Sequence, residues 1–400
     1  MNEPVFIIGV GRTDFRRNLR KEGRTLGDII VEAGAAAIAD AGADPREIET
    51  AVVGNFAGGL FTGQLHLGAM VMDIDLSLRG IPTLHVEAAC ASGGVAVLTA
   101  AQQIQGGLHD VALVIGAEQQ KTMSSSDGAN VLAAAADQRT ERDQYGEFMF
   151  PKLFARIVQA YSERYGLSET QLAKVAVKNR AHSRLNPLAQ MRDSALTYEQ
   201  ASTADDANRY IAPPLKLSDC SPITDGAAAV VLCSQRFLNR LGPRVAARLL
   251  GYGHTTDYLP LEKKTMPDFP MAAKAAVHAY AMAGVGPREI HGAEVHDCFS
   301  ISEIVQYELL GFAAAGEGAA LLESGATTFP GGRCPVNAGG GLLGDGHPVG
   351  ATGVRQVVEA YQQLTEQAGA RQIAGARRFL TCNIGGSLTT TVVMIWGGVT

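Results

Sequence analysis

The two halves of this 400-residue chain repeat each other in a single register, and no other feature narrows the fold as far. Ile7-Ile8-Gly9-Val10-Gly11-Arg12-Thr13 corresponds to Leu249-Leu250-Gly251-Tyr252-Gly253-His254-Thr255, and Ala41-Gly42 with Pro45-Arg46-Glu47-Ile48 corresponds to Ala283-Gly284 with Pro287-Arg288-Glu289-Ile290; both matches lie 242 residues apart. One such match arises by chance, but two in one register and in similar strand and helix contexts indicate duplication. Each half reads as a strand, a long Ala-rich helix (26–41; 271–283), a strand (49–53; 292–295) and a glycine-rich loop entering another helix. Two stacked α/β sheets are therefore expected. Residues 93–105 are almost wholly apolar or small on every face, as burial between two sheets requires.

From Lys121 to about Asp206 the sequence turns polar, charged and amphipathic, with a helix-like stretch at 157–165 and no counterpart in the second half. It reads as an inserted lid or loop domain. Residues 225–232 resume as a buried strand, and Leu241-Gly242-Pro243 marks the boundary between halves. The expected units are 1–120 plus 207–241, the insertion 121–206, and 242–400. A 46% hydrophobic content suffices for a core of this size, and 46 glycines fit tight packing and frequent turns.

Forty acidic residues against 34 basic ones, spread without long runs of like charge, disfavour nucleic-acid and membrane-surface partners. The six cysteines, at 90, 220, 233, 298, 334 and 382, show neither zinc-site CxxC pairs nor the density of a disulfide scaffold, so reduced thiols are expected. The first residues lack the basic region of a signal peptide, no stretch nears the ~20 apolar residues of a membrane span, and the C-terminus is not a sorting signal, so the expectation is a soluble cytoplasmic protein.

Four clusters carry chemistry. Cys90, in Glu87-Ala88-Ala89-Cys90-Ala91-Ser92-Gly93-Gly94, lies where a strand gives way to a helix, and the helix dipole there favours a thiolate nucleophile; a small buried core cysteine is the competing reading. His347 lies on a constrained glycine-rich loop, Asn337 to Gly353, at a helix start, where it can act as base to a cysteine of the other half. Phosphate binding is the rival reading for that loop, although no GxxxxGK[ST] pattern is present. His296-Asp297-Cys298-Phe299 falls opposite the bland Gly54-Asn55-Phe56-Ala57 in the duplication, an asymmetry that suggests function over a mere strand end. Thr381-Cys382-Asn383-Ile384-Gly385-Gly386-Ser387 is a glycine turn whose amides can bind an oxyanion, though most such turns are structural.

Cys90 with its Ala-Ser-Gly-Gly helix start, HDCF at 296–299, GHPVGATG at 346–353 and NIGG at 383–386 together resemble thiolases, specifically the sterol carrier protein type. Lys178-Asn179, Asn186-Pro187 and residues 221–232 extend the likeness over essentially the whole chain. The resemblance implies a thiolase-like α/β fold, five layers αβαβα from two duplicated halves with an inserted loop domain. Most thiolases carry Asn-Glu-Ala-Phe where this chain has HDCF and a catalytic Cys-x-Gly where it has Asn383-Ile384-Gly385, which moves the second thiol to Cys298. Cys382 neighbours the lost position, but strand alternation turns it to the opposite face from Asn383.

The resemblance further implies CoA-dependent cleavage of a 3-oxoacyl-CoA, or the reverse condensation of acetyl-CoA, through an acyl-Cys90 intermediate. Catalytic roles fall to Cys90, His347, Cys298 and His296, with His347 and a water held by His296 at the enolate oxygen, and backbone amides of Cys90 and Gly385 face the thioester oxyanion. Coenzyme A is a substrate, with no metal and no permanently bound cofactor; its nucleotide is expected against the insertion, with Lys263 and Lys264 as weak candidates for its phosphates. A homodimer or tetramer is expected, and some relatives bind a small OB-fold, zinc-ribbon partner. Three rivals stand beside this reading. A ketoacyl synthase is disfavoured by HDCF, a retro-aldol lyase relative by the presence of Cys90, and a non-catalytic acyl-CoA-binding scaffold by the intact pairs of cysteines and histidines.

Overall fold

The computed structural model describes residues 3–242 and 244–399; Pro243, part of the expected boundary, lies outside the described residues. Nine strands form the main sheet: β1 (Val5–Arg12), β2 (Thr50–Gly54), β3 (Thr83–Val86), β4 (Val111–Glu118), β5 (Gly226–Ser234), β6 (Ala246–Thr256), β7 (Gly292–Glu294), β8 (Arg378–Gly385) and β9 (Thr390–Val399). Their order is β3-β2-β4-β5-β1-β6-β9-β8-β7. The first-half order 3-2-4-5-1 meets the second-half order 6-9-8-7 where β1 pairs with β6, through Phe6 with Arg248 and Ile7 with Ala247.

The two sheets expected from the duplication are thus joined edge to edge by the two strands that carry the repeated Gly-x-Gly. Those glycines serve helix packing. A Cβ at Gly11 would lie 2.7 Å from the Ala37 amide, and one at Gly251 would lie 2.6 Å from the Ala283 amide. The helices that close onto them are α1 (Leu26–Ala41), begun by a Thr25–Asp28 capping box, and, in the second half, α5 (Pro270–Ala283).

Three buried clusters define the layers. Ile29, Ile30, Ala33 and Ala37 of α1 pack on Val53, Leu113 and Ile115 at the outer face of the first half. Between the halves, α2 (Ser92–Gln105) and α7 (Thr352–Leu364) share a core in which Val97, Ala101, Val354 and Val357 meet Val114, Val230, Met394 and Trp396. The outer core of the second half gathers α5, α6 (Ser300–Leu309) and α3 (Met149–Tyr165) of the polar middle segment, with α4 (Glu169–Ser183) beside them. This is a five-layer αβαβα arrangement whose central helices both begin at the same sheet end. Among the described residues no helix is long and apolar enough to cross a membrane.

Candidate active site

Cys90 occupies a tight turn immediately before α2. Ala89 is held at φ 52°, a left-handed conformation that costs a non-glycine residue about 1–3 kcal/mol unless its surroundings fix it. Ser92 supplies the fixing contacts: its hydroxyl donates to the Ala89 carbonyl (2.6 Å) and accepts from the Ala88 amide (2.9 Å). The helix dipole does not leave a thiolate at rest, however. Burial, with Glu118 and Glu87 adding repulsion, pushes the Cys90 thiol up to about 12, although the Gly386 amide donates toward the sulfur. A dipole contribution of about 0.3–1 kcal/mol is too small to offset that desolvation. Cys90 therefore needs a base.

His347 is placed to be that base. Its main chain is pinned on both sides, the amide donating to Thr224 Oγ1 (2.8 Å) and the carbonyl accepting from Gln120 Nε2 (2.9 Å). Its Nδ1 lies 2.7 Å from Thr352 Oγ1, whose own proton goes to the Pro348 carbonyl (3.2 Å). Because that hydroxyl hydrogen is committed, Nδ1 carries the imidazole proton and Nε2 is a free acceptor. Burial, with the nearby Arg355 guanidinium, lowers His347 to about 3, which keeps it neutral.

His296 has the opposite tautomer. Asn383 Oδ1 accepts from the Gly94 amide (3.0 Å), so its amide group must present Nδ2 to the Cys90 carbonyl (2.9 Å) and to His296 Nδ1 (3.1 Å). An Asn nitrogen only donates, so His296 Nδ1 accepts and Nε2 carries the proton. That Nε2 is buried without a protein partner. Gln306 clamps the His296 main chain, with its Oε1 on the amide and its Nε2 on the carbonyl, each at 2.9 Å. Burial and the neighbouring His347 and Arg355 hold the pKa of His296 well below the usual imidazole range.

The two rings stand edge to face, 5.0 Å between centroids. One ligating atom from each of Cys90, His296 and His347 lies within 4.8 Å of the other two. One sulfur and two imidazole nitrogens can also ligate a soft divalent metal, but a cysteine nucleophile with a histidine base needs those atoms free. Cys298 is buried, and its Sγ lies 3.6 Å from Ser302 Oγ. Burial, with a charge on Cys90 as the next cause, raises its pKa well above the ordinary thiol value, which leaves it a proton donor at rest.

Asp297 turns the other way. It accepts from Asn179 Nδ2 (2.7 Å) and the amides of Leu342 (2.7 Å) and Leu343 (3.2 Å), anchoring the glycine loop that leads to His347. The supposedly bland strand end at 54–57 is also part of this support. Asn55 and the amides of Phe56, Ala57 and Gly350 converge on the buried Glu118 carboxylate, tying the His347 loop to β4. Glu118 and Gln306 were not singled out from the sequence, whereas Thr352 and Gly386 lay inside the GHPVGATG and NIGG motifs without a role of their own, and Asn383 stood where most thiolases have a cysteine.

Of the remaining candidates, Cys382 packs with Leu380 and Ile384 in the outer core, on the face away from Asn383. Gly385 lacks room for a side chain, since a Cβ would run into the Ala88 carbonyl, and its neighbour Gly386 supplies the amide that reaches the Cys90 sulfur. Lys264 is not a free phosphate ligand. It is buried, and its ammonium is taken up by the Ser387 carbonyl (2.6 Å), Ser387 Oγ (3.0 Å) and Thr389 Oγ1 (2.7 Å).

Residues 5–236 match the family model of the thiolase N-terminal domain, and residues 253–398 that of the thiolase C-terminal domain-like family. The chain is 38% identical over 393 residues to an acetyl-CoA acetyltransferase of Methanothermobacter thermautotrophicus, covering 98% of this chain and 99% of that one. It is 34% identical over 398 residues to sterol carrier protein 2 of Gallus gallus, covering 96% of this chain and 70% of the relative. Among solved structures, an Ltp2-ChsH2(DUF35) aldolase superposes with a TM-score of 0.83 at 25% identity, covering 98% of this chain and 97% of the other.

Proposed function

This chain belongs to the thiolase family and is an acyltransferase of thiolase type, and we propose that it works through an acyl group carried on Cys90, with His347 as base to that thiol, Cys298 as the acid/base at carbon and His296 as a donor to the enolate oxygen. The observation that carries this reading is the convergence of Cys90, His296 and His347 within 4.8 Å, with the two imidazoles held in opposite tautomers.

In the cleavage direction, His347 Nε2 takes the Cys90 proton and the sulfur adds to the 3-keto carbon of a 3-oxoacyl-CoA. The bond between C2 and C3 breaks, its electron pair goes to C2, and the acyl group stays on Cys90. Cys298 protonates C2 and acetyl-CoA leaves. Incoming CoA returns a proton to the Cys298 thiolate, and its sulfur attacks the acyl carbon. Cys90 departs and recovers its proton from His347. His296 Nε2–H is the unpartnered donor that meets the enolate oxygen, and backbone amides of Cys90 and Gly385, with Gly386 beside them, form the second oxyanion site.

Coenzyme A enters as substrate. We place its nucleotide along α3, where a groove of about 790 Å³ is lined by Lys152, Arg156, Gln159 and Ser162. The same helix reaches the site through Phe154, stacked at 4.5 Å on Phe299 next to Cys298. We further infer a homodimer: β3 is one of the two edge strands of the sheet, with Leu84 exposed on it and Leu60, Leu65 and Leu76 exposed in the preceding segment. Light scattering at twice the 42.0 kDa chain mass checks this. Six free cysteines suit the reducing cytoplasm, and a role in lipid metabolism follows from the substrate class.

A second reading, retro-aldol cleavage with an OB-fold, zinc-ribbon partner, draws support from the likeness to the DUF35-containing aldolase. Acetyl-CoA release from acetoacetyl-CoA plus CoA by the purified chain decides between them. Activity there supports the thiolase reading, and none, with or without a partner, overturns it.

A further inference from the structure

We propose that Lys264 is a positioning residue for the thioester-forming half of the reaction, holding the 385–389 turn against the turn that carries Cys90, where a Cβ on Gly385 would run into the Ala88 carbonyl and lie 3.1 Å from the Ala91 amide. This rests on the reading of Cys90 as the acylated residue. The turn joins β8 to β9 directly beside the site, and its path passes through two left-handed residues, Gly386 at φ 63° and Leu388 at φ 57°. For Leu388 that conformation persists only where surrounding contacts over-determine it. Main-chain bonds hold the ends of the turn, Thr389 N to the Gly385 carbonyl (3.0 Å) and Asp257 N to the Thr389 carbonyl (2.8 Å). Lys264 holds its middle.

All three protons of the Lys264 ammonium are used on this one turn, at Ser387 O, Ser387 Oγ and Thr389 Oγ1. Residue 264 is itself anchored from the middle segment of the chain. Glu141 accepts from the Leu261 amide (2.7 Å) and from the Asp137 amide (2.9 Å), and Lys264 N donates to the Leu261 carbonyl (2.9 Å). Burying an ammonium is costly, and an apolar side chain of the same length would fill the space at less cost. What the ammonium adds is a fixed geometry for three acceptors, two to four residues beyond the Gly385 that packs on the Cys90 turn.

The test separates the two halves of the chemistry. Exchange of labelled CoA into acetyl-CoA requires only acylation and deacylation of Cys90, with His347 as its base, whereas exchange of the acetyl α-protons with solvent depends on Cys298 and His296. In Lys264→Met, CoA exchange should fall about 10–100-fold in kcat at unchanged KM, the loss expected when an oxyanion donor is misplaced without being removed. Exchange of α-protons should stay within about twofold of the parental rate, a change of under 0.5 kcal/mol. Lys264→Arg, which keeps donors at that position, should recover most of the CoA exchange. A parallel fall of both exchanges, or no fall in either, overturns the proposal. If Lys264→Met does not fold, Ser387→Ala and Thr389→Val each remove one acceptor and must show the same split. Absence of CoA exchange in the parental enzyme would instead overturn the reading of Cys90.

Discussion

Asn383→Asp changes one atom and should reverse a tautomer. The Asn383 amide nitrogen donates to the Cys90 carbonyl at 2.9 Å and to His296 Nδ1 at 3.1 Å, while its oxygen accepts from the Gly94 amide at 3.0 Å. A carboxylate keeps the Gly94 bond, but it can only accept, so His296 must bring its proton to Nδ1 to satisfy it. Nε2 is then bare and faces the enolate oxygen as an acceptor. Loss of one oxyanion donor costs about 10²–10³-fold in rate, roughly 2.7–4 kcal/mol. The Cys90 carbonyl, left opposite a carboxylate oxygen, adds a stability loss of about 1–3 kcal/mol for an unpaired acceptor. The rate is read as α-proton exchange of acetyl-CoA in deuterium oxide, and the tautomer from ¹⁵N shifts of labelled histidine. Exchange within about threefold of the parental rate, a difference of under 1 kcal/mol, would refute the assignment of His296 Nε2–H as the donor.

Cys298→Ala should leave Cys90 able to take up an acetyl group, seen by mass spectrometry, yet abolish carbon–carbon cleavage and α-proton exchange; an acetyl group on Cys382 with Cys90 free would reverse the assignment of the nucleophile. With the His347 pKa lowered to about 3 and the Cys90 thiol pushed up to about 12, neither group titrates between pH 5 and 8. Single-turnover acylation should therefore show no histidine-type step in that range, and a fall centred near the ordinary imidazole value would contradict the burial argument. Gly353→Ala puts a Cβ into the Gly94 amide and the Asn383 side-chain oxygen where α7 crosses α2. It should lower the melting temperature through an overpacking cost of about 1–3 kcal/mol and reduce turnover more than tenfold, since the two helices carry Cys90 and His347.

Local order supplied much of what could be read from the chain. The 242-residue register, the Ala-rich helices and the buried 93–105 segment follow from periodicity and small-residue spacing, because a helix face or a strand alternation is written within a few neighbouring residues. The chemical types of Cys90, His296, Cys298 and His347 were legible for the same reason: reactive side chains set among glycine and alanine are conspicuous. Tertiary structure decided what those residues can do. That Cys90 rests protonated, and that one imidazole offers a lone pair while the other offers a proton, depends on Asn383 and Glu118, which long-range folding brings to the site, and on Thr352 and Arg355, whose bearing on His347 the helix start after it fixes. Burial and hydrogen-bond partners set protonation, and both sum over residues that lie far apart in the chain as well as near neighbours. Lys264 illustrates the same limit, since a lysine pair reads as solvated charge until the fold closes over one of its members and gives it three acceptors.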